Sequence, residues 1–207
     1  MLLQIYNSDK SNRMLHWDVS TAFIHAPLQE RVYMRQASGH EVKGKEMWVY
    51  QLIKALYGTK QAARAWQQHL AKQLMRKGCN PLVVDPATYV RREGDAFLMI
   101  GTHVDDLFVL FNTKGERLKD EVWQYLNEVL TIKSMGDAVW TLQMSINRDP
   151  NAGVLKISQA SFTREVIRRF NMENIKTAST PALGDEAAMS ENDLPSTPEE
   201  KEDISWS

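Results

Sequence analysis

Two adjacent acids, Asp105 and Asp106, sit between the apolar runs Phe97–Ile100 and Leu107–Phe111. Apolar, β-branched and aromatic residues on both sides of a short polar break predict a β-hairpin with the acids at its tip. Asp-Asp lacks the glycine that the tightest hairpin turns favour. Neighbouring carboxylates at a mostly buried tip repel each other and resist desolvation unless a cation joins them to a partner. Hard divalent ions such as Mg²⁺ take carboxylate oxygens together with substrate phosphates. The chemistry this pair points to is metal-dependent phosphoryl transfer. The alternative is a solvated turn whose acids end two strands.

A third acid stands earlier. Met14–Val19 alternates, with Leu15, Trp17 and Val19 on one face and Met14, His16 and Asp18 on the other. Asp18 therefore ends a strand, as a metal ligand or as a turn former. Phe23 follows five residues later. Two-metal phosphoryl transfer needs acids from separate strands converging on ions ~3.5–4 Å apart, and Asp18 and the hairpin supply them if their strands are neighbours.

The next signal is Gly58 followed by Lys60 and Arg64. Thr59 as N-cap and Gly78 at C′ predict a helix over Lys60–Lys77, with Ala62, Ala63, Trp66, Leu70 and Leu74 facing the core. Its basic residues form either a solvated face or, at the helix start, a phosphate contact.

The remaining elements must position these residues. Arg31–Gln36 reads as a strand, Glu41–Lys45 as a loop, and 47–56 as mixed. Thr88–Arg91 and Ala96–Ile100 flank a turn at 92–95, and a loop at 112–115 precedes an amphipathic helix over Glu116–Leu130. Val139–Ile146 and Val154–Ile157 read as strands around a turn at 147–153. Ser161 is expected to cap a helix reaching Asn171. From Gly184 onward, acids, Pro and Ser predict a disordered acidic linker over 184–207.

The formal net charge of −1 hides a basic middle, Lys43–Arg92, and an acidic end. A basic middle suits a polyanion-binding surface without demanding one. A single cysteine, Cys79, excludes an internal disulfide framework and a cysteine-based zinc site. No stretch is long and apolar enough to cross a membrane. An intracellular protein is expected.

Three segments now carry a resemblance: Asp18-Val-Ser-Thr-Ala-Phe-Ile24, Leu56-Tyr-Gly-Thr-Lys-Gln-Ala-Ala-Arg-Ala-Trp66 and His103-Val-Asp-Asp-Leu107. With Ile132-Lys-Ser-Met-Gly136, Ile157-Ser-Gln159, Arg169-Phe-Asn-Met172 and Thr180-Pro181, they resemble, in this order, the reverse transcriptase of copia-type LTR retrotransposons. The resemblance runs from about Met14 to Leu183. It implies an α+β polymerase palm, a ferredoxin-like antiparallel sheet with helices on one face, over residues 1–183 with the start of a thumb. It also implies RNA-directed DNA polymerase chemistry with two Mg²⁺, Mn²⁺ being a substitute. The implied partners are an RNA or DNA template with its primer, dNTPs, and other Pol regions (integrase, RNase H). No membrane is involved. The implied location is the cytoplasm, in a virus-like particle, with access to the nucleus.

The family's roles carry over residue by residue. Asp18 and Asp105 are implied as principal metal ligands, with Asp106 beside them and the Val19 carbonyl on one ion. Phe23 lies under the incoming sugar and excludes a 2′-hydroxyl. Ala22, through its backbone, and Tyr57, Gly58, Lys60 and Gln61 contact nucleotide or template. Lys133 stands where the family has a lysine that protonates the leaving pyrophosphate, an exposed structural lysine being the alternative. His103 and Gln143 fall in primer-contacting segments.

Departures accompany these matches. His103 replaces a tyrosine, Ala63 a proline and Gln143 a glycine. The family's triphosphate-holding fingers are expected before Asp18, where only Met1–Leu15 stands, so fingers and thumb are expected to be incomplete. Little polymerase activity is expected of the chain alone. The second reading is a truncated, inactive fragment that still binds nucleic acid, or the relic of a decayed element.

Overall fold

Along Arg13–Val19, the strand β1, Met14 on one face and Trp17 and Val19 on the other are buried, so both faces of the strand meet core. In the computed structural model, which describes residues 1–175, the chain divides into two compact units, Met1–Phe162 and Thr163–Ser207. The expected linker at 184–207 lies outside the described residues.

In the first unit, helix α1 (Leu2–Ser8) precedes β1, and β2 (Pro27–Arg35) pairs with β3 (Val49–Lys54) as a separate two-stranded sheet. Helix α2 (Ala62–Arg76) leads through β4 (Asn80–Pro81) and β5 (Thr88–Glu93) to the hairpin of β6 (Ala96–His103) and β7 (Asp106–Phe111). Helix α3 (Glu116–Val129) and β8 (Ile132–Asp137) follow. The strands then assemble as one six-stranded antiparallel sheet in the order β4-β5-β6-β7-β1-β8. Last come β9 (Trp140–Thr141), β10 (Met144–Asp149) and β11 (Val154–Ser158), a three-stranded antiparallel sheet. Helix α4 (Ala160–Arg169) runs across the boundary between the units. The architecture is α+β with antiparallel sheets.

Both faces of the large sheet are covered. Trp17, Val19, Leu107, Val109 and Phe111 meet Trp66, Leu70 and Leu74 of α2 and Leu118, Val122 and Leu126 of α3. Met14, Met99, Phe108 and Leu110 on the other face meet Ile146 of β10, with Leu2, Leu3 and Ile5 of α1 packed around them. Burying one such Leu or Phe side chain contributes ~1.5–3 kcal/mol, so each layer outweighs any single surface contact.

The C-terminus of α2 is closed as its sequence predicts. Gly78 at φ +72° follows the last turn, its N–H donates to the Met75 carbonyl at 2.9 Å, and the Cys79 N–H donates to the Leu74 carbonyl at 3.1 Å. The N-terminus corrects the expectation. The helix begins two residues late, after Gln61, and the Thr59 hydroxyl donates backward to the Leu56 carbonyl at 2.8 Å instead of capping.

Two further expectations are corrected. Val139–Ile146 is a hairpin rather than one strand, because Leu142 (φ +45°) and Gln143 (φ +63°) form a turn of left-handed residues between β9 and β10. Helix α4 starts at Ala160, whose N–H donates to the Ser158 Oγ at 3.2 Å, so Ser161 lies inside the helix.

Gly115 shows how tightly α3 is seated on the sheet. Its N–H donates to Asn112 Oδ1 at 2.8 Å, and a Cβ on it would overlap the Phe97 carbonyl oxygen. That oxygen belongs to the backbone and cannot swing aside. Gly115→Ala is expected to cost about 3 kcal/mol, the upper part of the usual overpacking range. Urea denaturation measures it, and an unchanged midpoint would show that α3 can shift freely.

Candidate active site

The sheet register assembles the acids. Asp18 lies directly opposite Asp106 on β7, and opposite Lys133 on β8 at its other side. His103 of β6 lies opposite Asp106 in turn. Directly opposite residues project to the same face with Cβ atoms ~4.5–5.5 Å apart. His103, Asp106, Asp18 and Lys133 therefore form one row across four strands. The Val19 N–H donates to the Asp105 carbonyl at 2.8 Å. This makes Asp18–Asp106 a non-hydrogen-bonded pair, the kind whose side chains approach more closely.

Asp105 is not a strand residue. It forms, with Val104, the two-residue loop between His103 and Asp106. Val104 has φ +53° and Asp105 does not share a positive φ, the pattern of a type II′ turn whose first position favours glycine. A β-branched residue there carries strain of order 1–3 kcal/mol. The Val104 carbonyl accepts the Trp66 Nε1–H of α2 at 2.5 Å, which ties the strained turn to the buried helix.

The electrostatics are those of an acid cluster with basic neighbours. Two carboxylates facing each other destabilise a strand pair. His16, two residues before Asp18 on the same face, places Nε2 2.6 Å from Asp106 Oδ1 and stacks on Phe108 with ring centroids 5.1 Å apart. Lys133 flanks Asp18. The donor set, three carboxylates and backbone carbonyls, is the hard-oxygen chemistry that suits Mg²⁺. Among the described residues, no three His, Cys, Asp or Glu side chains are already gathered as a metal grip.

Beside the row opens a cavity of about 190 Å³ lined by Phe23, Trp66, Tyr89, Thr102, His103 and Val104. Phe23 is placed by a 3₁₀ turn over Ala22–His25, and the Tyr57 ring lies against it, tilted by 40° with ring centroids 4.4 Å apart. Ala22 is fully buried behind it. Gly58 follows Tyr57 at φ +86°, a conformation glycine adopts without strain. Gln143 sits at the exposed β9–β10 turn. Its neighbour Leu142 lines a separate hollow with His103 and Phe108.

Lys60 and Gln61 are not part of this cavity. They line a groove on another side of α2 with Arg64, His69 and Lys72. His16 and Trp66 were given no role at the site from the sequence. The alternation that put His16 and Asp18 on one face was the available signal for the first. No local pattern announces the Trp66 hydrogen bond.

His69 adds a pH dependence. Burial first, then the positive charges of His25, Lys72, Arg76 and Lys54, hold its imidazole below the ordinary value of 6.5. The unfolded chain thus takes up this proton more readily than the fold does. The stability linked to His69 is complete above pH 6.5 and falls as pH drops from there toward the lower folded value. His69→Gln is expected to flatten the stability–pH curve in that window, read from urea midpoints between pH 7 and 5. An unchanged slope would place the dependence elsewhere.

Comparison with known proteins follows the same residues. A family model described as "Reverse transcriptase (RNA-dependent DNA polymerase)" matches residues 1–184. The chain is 36% identical over 187 residues to the Retrovirus-related Pol polyprotein from transposon TNT 1-94 of Nicotiana tabacum, covering 89% of this chain and 14% of that protein. It is 30% identical over 173 residues to the corresponding polyprotein from transposon RE2 of Arabidopsis thaliana, covering 84% of this chain and 12% of the relative. A putative transposon Ty5-1 protein of Saccharomyces cerevisiae is 26% identical over 164 residues, covering 79% of this chain and 52% of that protein. The chain thus spans about one seventh or less of the length of the plant polyproteins it matches. On the family match and these identities, the chain belongs to the reverse transcriptase (RNA-dependent DNA polymerase) family.

Proposed function

We propose that this chain is the palm of an RNA-directed DNA polymerase in a retrotransposon Pol polyprotein, adding dNTPs to a primer 3′-hydroxyl on an RNA or DNA template. The observation that carries the reading is the row His103–Asp106–Asp18–Lys133 across β6, β7, β1 and β8, with Asp105 on the adjoining turn. Asp18, Asp105, Asp106 and the Val19 carbonyl are the groups that would hold two Mg²⁺, or Mn²⁺ in their place. Such ions supply charge stabilisation for the attacking and leaving oxygens of a phosphoryl transfer.

The chain's own residues do the rest. Lys133, exposed beside Asp18, carries a proton that it can give to a leaving pyrophosphate. His103, at the other end of the row, offers a ring for the primer end. Phe23, with Tyr57 packed against it, walls the cavity that takes the sugar of the incoming nucleotide, and Gly58 lets the chain turn beside Tyr57. Ala22 seats Phe23 against the core, and Gln143 presents the β9–β10 turn to the primer. A virus-like particle in the cytoplasm is the setting such a polyprotein implies.

Mn²⁺ titration of the chain followed by NMR tests the metal site. The amide signals of Asp18, Val19, Asp105 and Asp106 are expected to broaden first, and an Asp18→Asn/Asp105→Asn double variant to lose that broadening. Broadening centred elsewhere, or unchanged in the double variant, would refute the assignment.

Phe23→Ala tests the sugar contact. Opening this wall is expected to admit ribonucleotides, raising the ratio of rNTP to dNTP incorporation by roughly 10–200-fold, the range for steric discrimination by a pocket wall. Single-nucleotide incorporation assays read it, and an unchanged ratio would remove Phe23 from that role.

One observation favours the second reading, a non-catalytic nucleic-acid-binding fragment. The Asp106 carboxylate is already engaged by His16, whose Nε2 lies 2.6 Å from its Oδ1. A chain that binds nucleic acid while giving no Mn²⁺ broadening at the row would establish that reading instead.

A further inference from the structure

We infer that His16 is a positioning residue of the acid row: its Nε2–H fixes the Asp106 carboxylate by one oxygen and leaves the other for the metal. This role deepens the proposed polymerase reading and rests on it. His16 touches neither ion nor substrate in it, and acts only through Asp106.

Register puts the two residues within reach. His16 lies directly opposite Phe108 on β7, and Asp18 directly opposite Asp106. His16 and Asp106 are therefore diagonal neighbours on one face of an antiparallel pair, a spacing that long side chains can bridge. The bridge is made, with Nε2 2.6 Å from Asp106 Oδ1. An ionised carboxylate only accepts, so the hydrogen of this bond is carried by the imidazole. A hydrogen bond to an ionised acceptor is stronger than one between neutral groups.

The ring is itself held. It stacks on Phe108 at 18° with centroids 5.1 Å apart, and Phe108 belongs to the apolar layer of Met14, Met99 and Leu110. A stacked ring has little freedom to turn, so the direction of its N–H is set before any ion arrives. The other side of β1 adds a second device. The pairing with β8 shifts between Leu15, opposite Asp137, and Trp17, opposite Ser134. Met135 and Gly136 thus stand together against His16 alone, and Gly136 turns the chain there at φ +84°. Bulges of this kind recur beside active sites, where they re-aim a side chain.

The three acids are therefore unequal. Among the described residues, Asp106 has a side-chain partner, whereas Asp18 and Asp105 have neither an ion pair nor a side-chain hydrogen bond. A carboxylate has about four lone-pair sites, so the bond to His16 leaves Asp106 able to accept elsewhere. The bond also draws charge from one of two acids that face each other across the strands, which eases their repulsion. Carboxylates that hold a metal are in turn held by hydrogen bonds, and losing the outer partner costs about 10–100-fold in metal affinity.

Mn²⁺ titration of the full chain tests this, read from broadening of the Asp18 and Val19 amide signals in wild type, His16→Phe and His16→Gln. Phenylalanine keeps a ring on Phe108 and removes the donor. Glutamine gives up the ring and returns an N–H. His16→Phe is expected to raise the Mn²⁺ concentration for half-broadening by about 10–100-fold, and His16→Gln to recover most of that loss. A second readout needs no metal. The imidazole ¹H–¹⁵N signals of wild type should show a hydrogen on His16 Nε2 protected from exchange with water. Asp106→Ala should lose that protection and Asp18→Asn keep it.

Far-UV spectra and urea midpoints equal to wild type confirm that each variant folds. Mn²⁺ binding in His16→Phe as tight as in wild type overturns the role, and tighter binding would make His16 a competitor for Asp106. A loss in His16→Gln as large as in His16→Phe would reduce the ring to packing. Unchanged imidazole signals in Asp106→Ala overturn the role as well. All of these results leave the Mn²⁺ test at Asp18 and Asp105 standing. Wild type without broadening at the row overturns the polymerase reading instead, and the metal role of His16 falls with it.

Discussion

Asp105→Asn and Asp18→Asn are each expected to bring Mg²⁺-dependent primer extension to background, a loss of about 10³-fold or more, while nucleic-acid binding persists. The size follows from charge. Asparagine keeps the shape and one acceptor oxygen but removes the negative charge that a hard divalent ion requires. A misheld metal forfeits several kcal/mol of transition-state stabilisation, and each ~1.4 kcal/mol is tenfold in rate. The register makes the two positions interdependent, since the Val19 N–H bond to the Asp105 carbonyl sets the turn against the end of β1. The double variant should therefore fall no further than either single one. Extension on an RNA template by this chain is the measurement. Full activity in either single variant would remove both acids from the chemistry.

The same charges bear on stability with the opposite sign. Asp18 and Asp106 are like charges set face to face, and removing one relieves repulsion in the folded chain. Asp18→Asn is thus expected to cost extension without costing the fold. A site whose parts oppose stability is characteristic of function, because folding alone would place something else there.

Much of the frame was legible from local pattern. Period-two alternation found β1 and both faces of it, and three- and four-residue spacing found α2 and α3. Gly78 marked the end of α2 because only a left-handed residue closes the helix that way. The acids could be picked out because their residue types are costly at a hairpin tip.

What escaped was set by tertiary context. Helix α1 is seven residues long, too short for an isolated helix, and Leu2, Leu3 and Ile5 are held by the sheet they cover. The β9–β10 turn is built from Leu142 and Gln143, neither of which announces a left-handed turn. β8 has only Ile132 and Met135 as apolar residues, on opposite faces, and no alternation marks it as a strand; its pairing with β1 is what brings Lys133 opposite Asp18. The cross-strand row is a property of register, which joins residues far apart in sequence. No local signal carries it.

The hairpin tip rests on Trp66, and Trp66→Ala is expected to destabilise the chain by ~3–5 kcal/mol, the usual cost of removing a buried indole. The side chain is 2% exposed, in the core formed by α2 and the sheet. For a domain whose total stability is ~5–15 kcal/mol, that loss is more than half of the total at the lower end. Trp66→Phe separates packing from hydrogen bonding. The smaller ring keeps much of the apolar body, while the Val104 carbonyl loses its 2.5 Å donor, at a cost of ~1–3 kcal/mol. That donor holds a β-branched residue at φ +53°, so its loss lets the turn relax and draws Asp105 away from the end of β1. A glycine at position 104 takes the same φ without strain and should need the tether less. Val104→Gly is therefore expected to reduce the cost of Trp66→Phe, with a coupling of ~0.5–3 kcal/mol in a double-mutant cycle from urea denaturation. Extension rates should follow the same cycle, with the Phe variant impaired in kcat more than in KM because the acids move while the cavity proposed for the nucleotide stays walled by Phe23 and Tyr89. Additive costs and an unchanged rate in Trp66→Phe would reduce Trp66 to a packing residue and leave the strained turn to hold itself.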